Sequence, residues 1–311
     1  MKKFKRIMIS ALAAISVVTL TACANQKESK TSKSNDPKSL NVQFVPSDAS
    51  GRMEGEGKPL EKMLSKRLGI PVHVTTSTDN NAEIEAMKSK KVDVGFLAAD
   101  AYVQAHKQGA ADVLLQSERY GIKQPGGTWT KKLVHTLRAE IVVRKNSNIK
   151  SWKDLKGKSI SIQSPTSTTG YIFPVAELKQ KGLDVTKKCK LVTVNGHDMA
   201  VLNVMSGDTD AAFVFEDARN KVLKDAPKIK QKVVPIYFTT PIPNDTISVS
   251  PSMPKAFRKK LANAFIDISK TKDGQKLIQK MYDQYGYRKA KDSDYDIVRK
   301  YEKIAQSLKK H

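Results

Sequence analysis

The segment Ser159–Gly182, SISIQSPTSTTGYIFPVAELKQKG, combines a short strand pattern, a loop of hydroxyl residues and a helical pattern. Ser159–Gln163 is predicted as a strand, and Gly170–Lys181 is predicted as a helix with Gly182 at its C-terminal cap. A strand, a short loop and a helix in succession form the repeating unit of α/β proteins. The segment therefore predicts an α/β fold.

The same unit recurs on both sides of this segment. Further strands are predicted at 40–45, 72–75, 92–97, 190–194 and 210–215. Further helices are predicted at 58–68, 82–89, 101–108 and 197–206. One series of units precedes residue 139 and a second follows it, which predicts two lobes built on sheets covered by helices on both faces.

Two extended segments, 139–144 and 246–249, are placed where the chain would cross between the lobes and return. Two crossings predict a two-segment hinge with a cleft between the lobes. Residues 40–138 with 250–311 are assigned to the first lobe, and 139–249 to the hinge strands and second lobe. Three C-terminal helices, at 254–269, 274–285 and 293–308, are predicted to pack on the outside.

The N-terminus has the pattern of an export signal. Lys2, Lys3, Lys5 and Arg6 precede an apolar run at 7–20, which is shorter than a membrane span. The run ends in Leu-Thr-Ala-Cys at 20–23, which resembles the lipobox of bacterial lipoproteins. We expect a signal peptide at 1–22, a lipid on Cys23, a flexible tether at 23–39 and location on the outer face of a cell membrane.

The composition excludes several classes of protein. The chain has two cysteines, so that lipidation of Cys23 would leave Cys189 unpaired, without a disulfide or a cysteine zinc site. Histidines are few and scattered, and we expect no metal and no cofactor. The formal net charge of +24 would suggest nucleic acid for a cytosolic protein, but an exported protein meets lipid, wall polymer and small anions instead, and we expect no nucleic-acid partner.

Ser167, Thr168 and Thr169 are three consecutive hydroxyl residues at the predicted start of a helix. Free backbone N–H groups and a partial positive charge make such a position suitable for an anion, and each hydroxyl can donate a hydrogen bond. Gly170 would let the backbone approach the ligand. Simple helix capping is the alternative interpretation, although three hydroxyls exceed what a cap needs.

Other candidate residues follow predicted strands at the expected cleft edge. His197 opens a helix and could donate to an oxyanion or lie in solvent. Glu216 and Asp217 end a strand, where Asp217 could instead cap the next helix. The remaining candidates are Asp245 at the return crossing, which could be a turn residue, and Asn80 and Tyr102 in the first lobe, where Tyr102 is more typical of a core residue.

Several short motifs together resemble one family. They are VDVGFL at 92–97 with Tyr102, STTG at 167–170, GHD at 196–198, IPND at 242–245 and Pro-Ser at 46–47. In this order they are similar to the phosphonate- and phosphite-binding proteins of ATP-binding-cassette importers, which have the type II periplasmic-binding fold. The resemblance implies an α/β, two-lobed protein with mixed sheets flanked by helices and a two-segment hinge.

The resemblance also implies roles for the candidate residues. Ser167, Thr168 and Thr169 would hold the phosphorus oxygens, with His197 and Asp245 beside them. An acid that faces the ligand amine in aminophosphonate binders falls on Asp217 or Glu216. Two positions depart from the family pattern. Asn80 stands where many members carry a tyrosine, and Leu137 stands where some members carry an aromatic residue.

The function expected from this resemblance is capture of a phosphonate, phosphite or related phosphorus oxyanion for a permease and its ATPase, by a monomer. Three alternatives remain: a sulfonate, nitrate or thiamine-precursor binder of the same fold, a surface sensor, or an adhesin. An enzyme is disfavoured because the chain has no G-x-S-x-G nucleophile motif and no H-E-x-x-H metal motif.

Overall fold

A computed structural model of the chain describes residues 36–45 and 57–308. The predicted signal peptide, Cys23 with its predicted lipid, most of the predicted tether and the Pro-Ser motif at 46–47 lie outside the described residues. Among those described, no helix is both long and apolar enough to cross a membrane.

The first part of the chain builds most of one sheet and the helices beside it. Its elements are β1 (Leu40–Phe44), α1 (Gly57–Leu68), β2 (Val72–Thr76), α2 (Asn80–Lys88), β3 (Val94–Leu97), α3 (Ala99–Lys107), β4 (Asp112–Lys123) and β5 (Thr128–Val134). In α1 the buried side chains Leu60, Leu64 and Leu68 share one face, and Gly69 ends the helix with a φ of 72°.

The middle of the chain builds a second sheet. Its elements are β6 (Thr136–Leu137), β7 (Ala139–Arg144), β8 (Ser159–Ile162), α4 (Phe173–Gln180), α5 (Val185–Lys188), β9 (Lys190–Thr193), α6 (His197–Ser206), β10 (Ala211–Phe215), α7 (Ile229–Lys232), β11 (Val233–Phe238) and β12 (Ile242–Pro243). The chain then returns to the first sheet through β13 (Thr246–Val249), α8 (Lys255–Lys270), α9 (Lys272–Tyr282), β14 (Gly286–Lys289) and α10 (Asp296–Ser307).

Both sheets mix parallel and antiparallel strands. Within the described residues the first sheet has the order β14-β4-β13-β3-β1-β2, with β5 paired to β4, and the second has the order β11-β7-β10-β8-β9. Strands β1, β2 and β3 are parallel, as are β8, β9 and β10, whereas β13 and β7 run antiparallel to their neighbours. We call the first sheet with α1–α3, α8 and α9 the first lobe, and the second sheet with α4–α7 the second lobe.

The crossings between the lobes lie beside the segments that the sequence indicated. Residues 139–144 and 246–249 form β7 and β13, each an interior strand of one sheet, because their apolar side chains are buried there. The chain crosses at β6 and β12, which pair antiparallel with Leu137 opposite Ile242. Strands of two residues have too little periodicity to be recognised in a sequence. The lobe boundaries given above stay a prediction.

The last helix, α10, packs on both lobes near these crossings. It contacts α3 of the first lobe, α4 of the second lobe and β12. The Tyr301 hydroxyl donates to Glu177 at 3.0 Å, and the Tyr295 hydroxyl donates to the carbonyl of Asn244 at 3.0 Å. Helix α10 therefore contacts both lobes, and its predicted place on the outside of the first lobe stays a prediction.

A hairpin from the first lobe reaches the second lobe. Between β4 and β5 the carbonyl of Pro125 accepts from Arg219 at 3.0 Å, and the carbonyl of Gly127 accepts from Asn220 at 3.2 Å and from Lys230 at 3.1 Å. The donors belong to α7 and to the 3₁₀ segment Ala218–Val222 that follows β10. We call residues 123–128 the hairpin arm. It joins the lobes at a place other than the crossings.

Candidate functional site

A cavity of about 280 Å³ lies between the two lobes. Six predicted site residues line it, namely Asn80, Ser167, Thr168, Thr169, His197 and Asp245. They come from the start of α2, the loop after β8, the start of α6 and the segment before β13. The topology thus gathers loops from both lobes at one place, as expected for the carboxyl ends of parallel strands.

The hydroxyl residues lie on a wide helical turn that precedes α4. The N–H groups of Tyr171 and Ile172 both donate to the carbonyl of Ser167, at 3.1 and 2.9 Å, which defines a π turn over Thr168–Ile172. The helical backbone therefore begins two residues before the predicted start at Gly170. The first N–H groups of this turn have no partner within the helix and are available to an anion.

The three hydroxyls have different hydrogen-bond partners. The Ser167 hydroxyl accepts from the N–H of Gly170 at 3.1 Å, which leaves its own proton available. The Thr168 hydroxyl donates its proton across the cavity to Asp100 at 2.7 Å. Within the described residues no hydrogen bond is found for the Thr169 hydroxyl. Ser167 and Thr169 can therefore donate to a bound anion, whereas Thr168 is already engaged.

Gly170 lies behind the cavity wall rather than on it. A Cβ atom at this position would come within 2.2 Å of Cγ of Gln163. The Gln163 amide in turn accepts from the N–H of Gly196 at 3.1 Å and donates to its carbonyl at 3.2 Å. The absent side chain thus makes room for Gln163, which holds the residue before His197.

We expect Gly170→Ala to lower the free energy of unfolding by about 1–3 kcal/mol, because the added methyl group overlaps Gln163. Urea unfolding of the purified protein measures this loss. Gly126→Ala is the control, since its Cβ would meet only the Thr128 hydroxyl at 3.6 Å. Equal stability of the Gly170→Ala variant and the unsubstituted protein would contradict the packing argument.

His197 is held as a neutral imidazole. Burial lowers its pKa from 6.5 to about 4, although the nearby Asp198 carboxylate opposes this shift. The ring packs edge-on against Phe215 at 4.8 Å between centroids, and its Nδ1 atom is buried with no hydrogen-bond partner in the described structure. Above pH 5 His197 can offer one N–H donor to a ligand but no positive charge.

Tyr102 is directed away from the cavity. The side chain is fully buried, its hydroxyl donates to Asp292 at 2.6 Å, and its ring lies 4.8 Å from that of Tyr295. It belongs to the packing between α3 and the segment that leads into α10. The interpretation of Tyr102 as a core residue agrees with this position.

Glu216 and Asp217 contact the hairpin instead of lining the cavity. Both carboxylate oxygens of Asp217 accept from Arg119, at 2.6 and 2.7 Å, and one of them also accepts from Trp129 at 2.9 Å. Glu216 accepts from the side-chain amide of Gln124 at 3.1 Å. Because the hairpin was not predicted from the sequence, the partners considered for these acids were a ligand and, for Asp217, the start of the next helix.

Four charged residues on the cavity wall, Asp100, Arg119, Lys221 and Asp283, were not among the predicted site residues. Asp100 begins α3, Arg119 lies on β4, and Lys221 follows β10 and forms an ion pair with Asp283. Asp100 lies between the predicted strand at 92–97 and the predicted helix at 101–108, so its position gave a signal. Arg119 lies on the unforeseen hairpin, and nothing local in the sequence marked it.

The wall of the cavity carries two carboxyl groups that form no ion pair in the described structure, the buried Asp100 and the half-buried Asp245. Burial raises the pKa of Asp100 to about 7, despite the hydrogen bond from Thr168. Burial also raises the pKa of Asp245 to about 6, while Arg119 opposes this shift. The two lining cations, Arg119 and Lys221, are themselves paired with Asp217 and Asp283.

The described residues contain no group of histidine, cysteine and acidic side chains that could hold a metal ion. What the cavity offers a ligand is hydroxyl groups, helix-start N–H groups and a neutral imidazole, all suited to hydrogen bonding. Two lobes joined by two crossing strands, with a partly open cavity between them, are the features of a class of proteins that bind a small solute.

Comparison with known proteins gives the family. A family model described as "ABC transporter, phosphonate, periplasmic substrate-binding protein" matches residues 42–295. The chain therefore belongs to the periplasmic substrate-binding proteins of ABC phosphonate transporters, which are binding proteins and not enzymes.

Individual relatives agree with this family. The chain is 28% identical over 230 residues to the phosphate-import protein PhnD of Mycolicibacterium smegmatis, covering 71% of this chain and 69% of the relative. It is 24% identical over 283 residues to the probable phosphite-binding protein PhnD1 of Prochlorococcus marinus, covering 89% and 92%.

A solved structure supports the fold. The structure of PhnD1 from Prochlorococcus marinus in complex with methylphosphonate matches with a TM-score of 0.70 and 22% identity, covering 89% of this chain and all of that one. The type II periplasmic-binding fold expected from the sequence, with mixed sheets flanked by helices, is confirmed.

Proposed function

We propose that this chain captures a phosphonate, phosphite or related phosphorus oxyanion in the cavity between its lobes and delivers it to a membrane permease driven by an ATPase. The observation that carries the proposal is the position of Ser167 and Thr169, which line the cavity between the lobes at the start of a helical turn. The two relatives compared above, a phosphate-import protein and a probable phosphite-binding protein, take ligands of the same chemistry.

The proposed mechanism is capture by hinge closure, with no bond made or broken in the ligand. The anion docks on the hydroxyls and N–H groups of the second lobe, and the first lobe then closes over it. Contacts that join the lobes, such as Thr168 with Asp100 and Arg119 with Asp217, form in the closed state. Hydrogen bonds to a charged ligand contribute about 1.5–3 kcal/mol each, so four or five support micromolar binding.

We also propose that the mature protein begins at Cys23 and is held on the outer face of the membrane by a lipid on that residue. The basic head, the short apolar run and the small residues before Cys23 support this proposal. Substitution Cys23→Ser should release the protein into the medium or periplasm, as measured by fractionation. Retention of the variant in the membrane fraction would contradict the anchor.

Calorimetric titration tests the ligand class. The purified protein should bind methylphosphonate, phosphite or phosphate with a dissociation constant in the micromolar range or below, because the cavity supplies several donors to an oxyanion. Titration with an uncharged solute of similar size, such as glycerol, is the control. Absence of heat and of thermal stabilisation with every phosphorus oxyanion would overturn the proposed function.

A further inference from the structure

One corner of the cavity offers hydrogen-bond acceptors where an anion site would be expected to offer donors. Asp100 is only 1% exposed, and its Oδ1 atom accepts from the Thr168 hydroxyl at 2.7 Å. Its Oδ2 atom is buried and has no hydrogen-bond partner in the described structure. A buried carboxylate oxygen without a partner is unfavourable and calls for a donor.

Thr168 cannot be that donor for a ligand in this arrangement. A hydroxyl has one proton, and that of Thr168 is directed to Asp100, so only its lone pairs face the cavity. Above its pKa of about 7, where Asp100 is a carboxylate, the corner therefore presents two acceptors, Oδ2 of Asp100 and Oγ1 of Thr168. The lone pairs of an oxyanion without a proton would face the lone pairs of these two oxygen atoms and would be repelled.

The charges around Asp100 do not change this conclusion. The cations that line the cavity, Arg119 and Lys221, are paired with Asp217 and Asp283. The other titratable groups near Asp100 are the neutral His197, the carboxyl of Asp245, the Tyr282 hydroxyl, and Glu302 on α10, whose negative charge acts on Asp100. No unpaired cation among the described lining residues offsets a second negative charge.

We propose that Asp100 selects oxyanions that bring a proton, so that the cavity holds its ligand through a P–O–H group that donates to Oδ2 of Asp100. This inference rests on the proposed function and narrows the ligand to the protonated, singly charged form of a phosphorus oxyanion. We place the donor on a phosphorus oxygen because Asp100 accepts from Thr168. Thr168 lies between Ser167 and Thr169, the residues proposed to hold the oxyanion. The raised pKa of Asp100 agrees with a proton held in this contact.

The inference separates two ligands of nearly the same shape. Methylphosphonate keeps a proton near neutral pH, since the second pKa of a phosphate monoester is about 6 and the alkyl group raises it further. Methanesulfonate has no proton to offer. We therefore expect the protein to bind methylphosphonate about tenfold to a hundredfold more tightly at pH 7.5, the range expected for one charge-assisted hydrogen bond.

Asp100→Asn is the decisive variant because asparagine is nearly the same size. Its Oδ1 can still accept from Thr168, while its NH₂ group becomes a donor in place of Oδ2. Calorimetry with both ligands should show the ratio of the two dissociation constants falling to about threefold or less. Asp208→Asn, an exposed acid outside the cavity, should leave the ratio unchanged.

The pH dependence provides a test that needs no variant. The complex holds a proton that the free ligand and free Asp100 have lost above pH 8, so the affinity for methylphosphonate should fall about tenfold per pH unit from pH 8 to 9.5. In the Asp100→Asn variant this slope should largely vanish. If the unfolding transition shows that this variant does not fold, the pH dependence of the affinity of the unsubstituted protein still tests whether the ligand brings a proton.

The outcomes distinguish this inference from the proposed function. Equal binding of both ligands, or a flat pH profile, by the unsubstituted protein would overturn the role of a ligand proton and leave phosphonate binding intact. A ratio that changes in Asp245→Asn but not in Asp100→Asn would overturn the assignment to Asp100. Failure of every phosphorus oxyanion to bind would overturn the proposed function, and this inference with it.

Discussion

The double substitution of Ser167 by alanine and Thr169 by valine is expected to weaken methylphosphonate binding by about 10²- to 10⁴-fold. Each hydroxyl has a proton available to the cavity, and each lost hydrogen bond to an anion removes about 1.5–3 kcal/mol. Calorimetric titration measures the change. Ser167 also caps Gly170, so its loss should cost the fold about 1 kcal/mol, which urea unfolding reports separately.

Thr166→Val is the matched control for this experiment. Thr166 belongs to the same loop, but its hydroxyl pairs with that of Ser164 at 2.9 Å and it does not line the cavity. Its substitution should change the dissociation constant by less than about threefold, within the scatter of surface changes. If the double variant and the control both bound methylphosphonate as tightly as the unsubstituted protein, Ser167 and Thr169 would not form the anion site.

Arg219→Met is expected to lower the free energy of unfolding by about 3–5 kcal/mol, because it leaves Glu140 buried without a cation. The Arg219 side chain is 2% exposed and its Nε atom lies 3.2 Å from Oε1 of Glu140, which is fully buried. The same guanidinium donates to the carbonyls of Val233 and Pro125. The substitution therefore removes a hydrogen-bond donor from three groups, the Glu140 carboxylate and the carbonyls of Val233 and Pro125.

Lys58→Met provides the comparison for an exposed ion pair. Lys58 is 74% exposed and lies 3.1 Å from Glu61 on the surface of α1. Solvent screening reduces such pairs to about 0–1 kcal/mol. Urea unfolding of both variants should show a large loss for Arg219→Met alone. A loss of similar size in both would mean that burial does not determine the contribution of the Arg219–Glu140 pair.

The order of strands and helices was predictable because local periodicity determines it. The strand at 40–44 and the helices at 57–68 and 197–206 lie within a residue of their predicted bounds. The hairpin of β4 and β5 was missed, because β5 is largely exposed and carries little apolar alternation. Its partners in the second lobe lie about a hundred residues away, and no local pattern encodes such a pairing.

The candidate site was predictable to the extent that helix starts and strand ends determine it. Ser167, Thr169 and His197 stand at such positions and line the cavity. Glu216 and Asp217 also stand at the end of a strand, yet the hairpin covers them. A residue's place along the chain therefore does not show whether its side chain faces the cleft. The roles of all these residues in ligand binding stay predictions until titrations are made.

The attachment of α10 to both lobes beside the crossing strands has a consequence for reporting ligand capture by fluorescence. Probes near Tyr295 or Tyr301 sit close to the pivot and should record almost no change in separation when a solute enters. Dyes placed on Gly126, at the hairpin arm, and on Lys224, in the second lobe, should record a large one. Such a labelled pair would convert this chain into a sensor of dissolved oxyanions.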